Sequence, residues 1–567
     1  MDLINFIKER GLISDSVLAE ISNNNVVKKF TFFQELYANG KKYGVAEEDL
    51  LKWAVSAGGP GYELLESTRD LSTEHEDYNK LGGVERCLDL KCMLVRRKRK
   101  ALCVVTQRPD DPGLIVVLNK AFGAGSYSVG ICGMFLWKAI YQSDVEPLFI
   151  EAKAQTLSTK TTGSRRTEDK QIESEARSIY KHILQLGVTS GASDIHLIPR
   201  VGRCDVLYRI DGTNYKRMSV PNDIAGRVAN LLTIDGKVPN KGPDTPQDGK
   251  IKYHPEGAPE NETRDLRFSI LPATYGKDLN IRFLNNKLYT FAELGMSPDN
   301  VATYSHILDM PQGLIMQVGP TGSGKSTTLY AGLHYIHENS LRNIITVEDP
   351  VEVFMEGITQ VTTNDEAGLT FARVARQFLR HDVDVGVIGE IRDEETALEA
   401  VRAATTGHLV ISSLHTNDSL GVLERLTKLG VDSYTLSEVL VAVMGQRLVR
   451  RLCPDCKERY TIMSDDSSLK GFNLPGPARE LELYRAVGCE HCNNIGYKGR
   501  IAVNEILVVD RVLRDLIQRH VTRKEMEDHL STVNFKTMFM DAQEKVLSGV
   551  TSLDELKPMM ADTLAFK

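Results

Sequence analysis

Eight consecutive residues constrain this chain more than any others: Gly319-Pro320-Thr321-Gly322-Ser323-Gly324-Lys325-Ser326. The run before them, Gly313-Leu314-Ile315-Met316-Gln317-Val318, reads as a buried strand, and Lys325 to His337 carries helical spacing. A strand that passes through so glycine-rich a loop into a helix turns backbone N–H groups inward at a helix N-terminus, which makes a cradle for phosphate. Gly319 through Thr327 then line the anion, with Lys325 on the terminal phosphates and the Ser326 hydroxyl on Mg²⁺. Short apolar runs alternate with helical patterns from Gly313 onward, so an α/β domain on a parallel sheet is expected.

Three more apolar runs end in polar clusters. Asn343 to Val347 leads to Glu348-Asp349-Pro350-Val351-Glu352, Val383 to Ile388 to Gly389-Glu390-Ile391-Arg392-Asp393, and Leu409 to Leu414 to His415-Thr416-Asn417-Asp418. In a parallel sheet these clusters share the edge where ligands bind. Each acidic cluster taken singly also suits the capping of a helix N-terminus.

With 567 residues, the chain exceeds what one core organises, so several domains are expected. A helical module is predicted over 1–75, from the shared face of Leu3, Phe6 and Ile7, a helix from Ser14 to Ile21, and Leu50, Leu51, Ala54 and Val55. A small α/β domain over 76–150 carries strands at Cys92 to Val95 and Ala101 to Val105, either side of Arg96-Arg97-Lys98-Arg99-Lys100. That basic run fits a solvated hairpin turn or a polyanion patch. Residues 151–170, rich in Thr, Ser, Lys and Arg, read as a flexible linker, and 171–290 as an α+β domain. The uncharged stretch Ala121 to Trp137 holds several glycines and is too short for a membrane span, so it reads as a turn between core elements. Neither a basic start nor an apolar core follows Met1, and a cytoplasmic chain is expected. The net charge of −7 argues against a surface that tracks nucleic acid along its whole length.

Five of the nine cysteines (Cys87, Cys92, Cys103, Cys132, Cys204) are scattered, as buried thiols are. The other four form Cys453-Pro454-Asp455-Cys456 and Cys489-Glu490-His491-Cys492, two pairs able to hold a structural zinc through four thiolates. Redox-active dithiols are the alternative.

Together these motifs resemble the hexameric secretion ATPases that drive type IV pilus assembly and type II secretion, closely from Ser193 to about Leu556. The resemblance implies a RecA-like P-loop core over 291–567 with a four-cysteine zinc knuckle over 453–492, preceded by a PAS-like α+β domain and an amino-terminal helical and α/β extension. Thr346 to Glu352 is similar to the family's aspartate box, Gly389 to Asp393 to its Walker B segment, and Thr406-Gly407-His408 with Leu414 to Asn417 to its histidine box. On that resemblance Glu352 activates water, Glu390 holds Mg²⁺ or its water shell, and His408 and His415 sense the γ-phosphate. Ala192 to His196, Arg209 to Gly212 and Pro246 to Lys250 look like the family's second amino-terminal domain, where Arg267 and Arg282 stand at the arginine-finger positions. Surface ion pairing is their structural alternative.

The resemblance further implies ATP, Mg²⁺ and Zn²⁺ as cofactors, a homo-hexamer, and peripheral attachment to the inner membrane through a platform protein. Presence of the knuckle favours pilus assembly or secretion over retraction. Phe6-Ile7-Lys8 and Phe33-Gln34-Glu35 stand where some relatives carry Arg-Leu-Gly motifs, so cyclic di-GMP binding is not expected. A nucleic-acid translocase and a non-hydrolysing nucleotide-binding scaffold are the competing functions. The first requires stimulation by DNA or RNA; the second requires a lost base or lost fingers, and Glu352, Arg267 and Arg282 are all present.

Overall fold

A computed structural model describes Leu51, Ala54, 62–65, 71–97, 101–106, 112–132, 137, 140, 141, 145–161 and, with short gaps, 166–565. The expected helices at Leu3 to Ile7 and Ser14 to Ile21, and Lys98 to Lys100 of the basic run, lie outside those residues. The chain forms two compact units, one of residues up to Leu284 with Val487–Gly496, the other of Asn285–Ala486 with Tyr497–Lys567.

The described residues of the first unit form two sheets. Strands β1 (Tyr62–Leu64), β2 (Leu71–Ser72), β3 (Cys92–Arg97), β4 (Ala101–Thr106) and β5 (Tyr127–Ile131) lie in the order β1-β5-β4-β3-β2. β3 and β4 pair antiparallel, and the helix Pro112–Phe122 returns the chain so that β5 runs parallel to β4. Arg96 is not spent on solvent: its guanidinium grips the buried Asp77 carboxylate, which holds the arginine's charge on still more firmly than usual.

The second sheet is antiparallel throughout, with β6 (Asp194–Arg200), β7 (Arg203–Ile210), β8 (Thr213–Val220), β9 (Gln247–Tyr253), β10 (Arg264–Ala273) and β11 (Gly276–Phe283) in the order β8-β7-β6-β11-β10-β9. One face is covered by the helices Arg166–Thr189 and Asn222–Asp235. Residues 151–161, expected within the linker, instead continue the helix Glu146–Thr161. Ile150, Ala154 and Leu157 recur at helical spacing and are buried in the same core, so a few well-placed apolar residues outweigh the polar composition around them.

The second unit is built on a seven-stranded sheet. Its strands β12 (Gly313–Val318), β13 (Ile344–Glu348), β14 (Thr359–Thr362), β15 (Val385–Ile388), β16 (Leu409–Leu414), β17 (Leu440–Leu452) and, past a separate hairpin, β20 (Tyr497–Val508) lie in the order β14-β13-β15-β16-β12-β17-β20. All neighbours are parallel except β17 and β20. β12, β13, β15 and β16 are buried at every position, which is why they read as unbroken apolar runs. Helices with side-chain N-caps at Ser297, Thr370, Asp393, Asp432 and Asp510 pack around them. Asp393 therefore performs the capping role, accepting from the Thr396 N–H at 2.8 Å. The separate hairpin consists of β18 (Glu458–Met463) and β19 (Glu480–Arg485).

Candidate active site

Parallel register decides which motifs meet. β12 ends at Val318 opposite Leu414 of β16, and Ile388 of β15 lies beside Val347 of β13 and Ser412 of β16. The loops after these strands, carrying Gly319 to Ser326, Glu348 to Glu352, Glu390 and His415, thus leave from one edge of the sheet.

The phosphate loop is held in shape from behind. Gly319, Gly322 and Gly324 all adopt positive φ, and a Cβ on Gly319 would sit 2.3 Å from the Gln446 carbonyl oxygen. The buried Gln446 side chain donates to the Ser323 carbonyl at 2.8 Å and accepts from the Thr328 hydroxyl at 2.7 Å. Lys325 opens the helix Lys325–Asn339 and turns its ammonium back onto the carbonyls of Gly319 (2.6 Å) and Pro320 (3.2 Å). Burial pushes the Lys325 ammonium down from its ordinary pKa, and the nearby Glu390 carboxylate opposes that shift. The Ser323 hydroxyl is buried inside the loop without a hydrogen-bond partner among the described residues. A cationic side chain, an unsatisfied hydroxyl and glycines held at positive φ fit a bound polyphosphate.

Around the loop lies a charged cluster. Glu390 receives the Arg392 guanidinium on one oxygen, and His415 Nε2 stands 3.3 Å from the other. Arg392 also reaches Asp349 at 3.2 Å and stacks over Phe371, 5.9 Å from the ring centre. The Ser413 hydroxyl donates to the Gly389 carbonyl at 2.7 Å and the Ile391 N–H donates to the Ser413 carbonyl at 3.0 Å, which braces the Glu390 turn against β16. Ser326 and Thr327 occupy the first turn of the helix that Lys325 opens, with Ser326 exposed.

The two glutamates of the aspartate-box stretch differ. Glu348 is buried and saturated, accepting from the Tyr330 hydroxyl, from Thr346 at 2.6 Å and from Gln360 at 3.3 Å. Glu352 is exposed, and the Tyr330 hydroxyl fixes its position by accepting from its backbone N–H at 3.0 Å. Of this pair, only Glu352 has a carboxylate open to solvent.

His408 is placed elsewhere. It precedes β16, where its carbonyl accepts from Gly313 N–H at the start of β12, the edge opposite the phosphate loop. Its ring Nδ1 lies 3.0 Å from the Ala403 carbonyl and 3.3 Å from the Thr406 hydroxyl, so it closes the end of the helix Glu394–Thr405. Arg267 and Arg282 belong to the first unit, directly opposite one another on β10 and β11. Arg282 is ion-paired with Asp194 at 2.7 Å.

Sequence spacing by itself gives no role to Gln446, Tyr330 or Arg392. For Gln446 a signal existed: it interrupts the buried apolar strand that begins at Leu440, where an amide is costly unless bonded.

The four paired cysteines also come together, with all four sulfurs within 4.8 Å of one another. Antiparallel pairing of β18 with β19 closes the long insert, because Glu458 and Arg485 at its base are register partners. The 3.8 Å between the Cys489 and Cys492 sulfurs equals the edge of a tetrahedron with metal–sulfur bonds of about 2.3 Å. Gly496 N–H donates to the Cys492 sulfur at 3.2 Å, as amides do to thiolates that hold a metal. This donor set fits zinc.

A family model described as "Type II/IV secretion system protein" matches residues 167–558. The type II secretion system ATPase E of Vibrio cholerae is 39% identical over 371 residues, 65% of this chain and 72% of that protein. The type IV pilus assembly ATPase PilB of Thermus thermophilus is 38% identical over 387 residues, 68% of this chain but 43% of that longer protein. Among solved structures, the Legionella pneumophila ATPase DotB superposes with a TM-score of 0.50 at 21% identity, covering 67% of this chain and 95% of that one, a likeness of fold. Its sequence, its RecA-like sheet and the loops gathered at one edge of that sheet make this chain a member of the type II/IV secretion system protein family and an ATPase.

Proposed function

We propose that this ATPase is a homo-hexameric motor, working at the cytoplasmic face of the inner membrane, whose ATP hydrolysis drives addition of pilin subunits through a membrane platform protein. One observation carries the reading: the phosphate loop, Glu390 and His415 leave one sheet edge together, with Glu352 on the loop after the neighbouring strand. Lys325, Ser326 and the loop amides bind the phosphates. Glu390 and Ser326 are the residues to hold Mg²⁺, which when bound offsets charge on the β- and γ-phosphates. Glu352 orients the attacking water and accepts its proton, and His415 couples the state of Glu390 to the loop that follows β16. Arg267 and Arg282 serve as the fingers that neutralise phosphoryl charge in the transition state.

Lys325→Ala should abolish ATP binding, whereas Glu352→Gln should bind ATP normally and release phosphate at least about 100-fold more slowly. Phosphate release by Glu352→Gln at the wild-type rate would remove Glu352 from the role of base. The names of the relatives support a second reading, secretion through a pseudopilus. Disruption of the gene decides between them: loss of surface pili with secretion intact supports the first, and the reverse supports the second. Purified protein should carry one zinc per chain by elemental analysis, and Cys489→Ser should lose it together with thermal stability.

A further inference from the structure

Across the outer face of the antiparallel sheet, register aligns Lys250 of β9, Arg267 of β10, Arg282 of β11, Asp194 of β6 and Arg209 of β7 in a single row. Alternation puts all five on the side away from the helices, since their strand neighbours Ile251, Leu266, Phe268, Ile281 and Ile195 fill the core. The row contains four cations and one carboxylate. Asp194 is already engaged by Arg282, and Arg209 Nε donates to the Gly212 carbonyl at 3.3 Å. Arg267 thus has a cation directly opposite on both sides, and neither it nor the exposed Lys250 forms an ion pair among the described residues.

Like charges directly opposite across strands oppose folding. The next outward pair on the same two strands is matched, Lys252 against Asp265, so the sheet does not need repulsion at this level. Three adjacent cations spaced by neighbouring strands span about 10 Å, enough to reach the oxygens of a triphosphate.

We propose that Lys250 acts with Arg267 and Arg282 as one row of cations that neutralises charge on the terminal phosphates as it develops in the transition state. Asp194 is then a positioning residue that fixes the direction of Arg282. This rests on the finger reading of the two arginines and extends it to a side chain that cross-strand register places beside them.

The test compares Lys250→Gln, Lys250→Arg, Arg267→Ala and Arg282→Ala in the full chain. For each, ATP turnover is measured at saturating Mg·ATP, affinity with a fluorescent ATP analogue, and Tm. In Lys250→Gln turnover should fall about tenfold while affinity is retained and Tm is unchanged or raised, because a repulsion has been removed. Lys250→Arg should restore turnover. A purely structural lysine would instead lower Tm along with turnover and gain nothing from Arg, which overturns the proposal. Wild-type turnover in Lys250→Gln, with both arginine variants impaired, overturns it and leaves the finger reading standing. Wild-type turnover in all three charge-removing variants overturns both.

Discussion

His408 and His415 bracket the same strand, one just before β16 and the other just after it, yet they stand in opposite environments. His415 is half exposed and reaches Glu390 beside the phosphate loop. His408 sits at the other edge of the sheet, about 20 Å away along the strand, with its ring on the carbonyl that ends a helix. Both come from the stretch that resembles a histidine box. The difference shows that sequence proximity in a parallel sheet is a poor guide to function, because the two ends of a buried strand are a domain's thickness apart. Loops after the strands gather the chemistry; loops before them close helices.

That contrast can be broken by exchanging the expected effects. His415→Ala should lower ATP turnover about 100-fold, since it removes the imidazole facing Glu390 on the oxygen that Arg392 does not hold. His408→Ala should leave turnover within about threefold and destabilise the protein by about 1 kcal/mol through loss of one ring-to-carbonyl hydrogen bond. Steady-state phosphate release and urea unfolding measure the two. If His408→Ala proved as damaging to turnover as His415→Ala, with stability intact, the division between the sheet edges would fail.

The parts of the molecule that were legible in the sequence share one property, that local spacing determines them. Buried strands wrote themselves as apolar runs, the phosphate loop as glycines between a strand and a helix, and the two cysteine pairs as short repeats whose sulfurs do converge. What was not legible depends on register or on a few residues within an unfavourable composition. Ile150, Ala154 and Leu157 order a helix through a Thr- and Ser-rich stretch because three burials suffice. The resemblance singles out Glu352, but that Glu348, four residues before it, is sealed by hydrogen bonds is visible only in the fold, where Tyr330 donates to Glu348 and accepts from the Glu352 backbone. Lys250 lies 17 residues before Arg267, and only antiparallel pairing makes them neighbours.

Gln446 sharpens the comparison of edges, because it belongs to the catalytic edge without facing the ligand. Its carboxamide joins the Ser323 carbonyl to the Thr328 hydroxyl, and its own carbonyl oxygen fills the space that a side chain at Gly319 would need. Gln446→Leu keeps much of the volume but leaves a loop carbonyl and a buried hydroxyl unpaired, a cost of about 1–3 kcal/mol for each group. Part of that cost falls on stability and part on the loop's geometry, so ATP affinity should weaken about tenfold while turnover at saturating ATP changes less than in His415→Ala. Gln446→Glu keeps the acceptor for Thr328 but turns the donor to the Ser323 carbonyl into a second acceptor, so it should impair ATP binding at least as much. Titration with a fluorescent ATP analogue distinguishes these outcomes. Unchanged affinity in both variants would mean that the glycines and the helix N-terminus hold the loop unaided, and that Gln446 serves only the packing of β17.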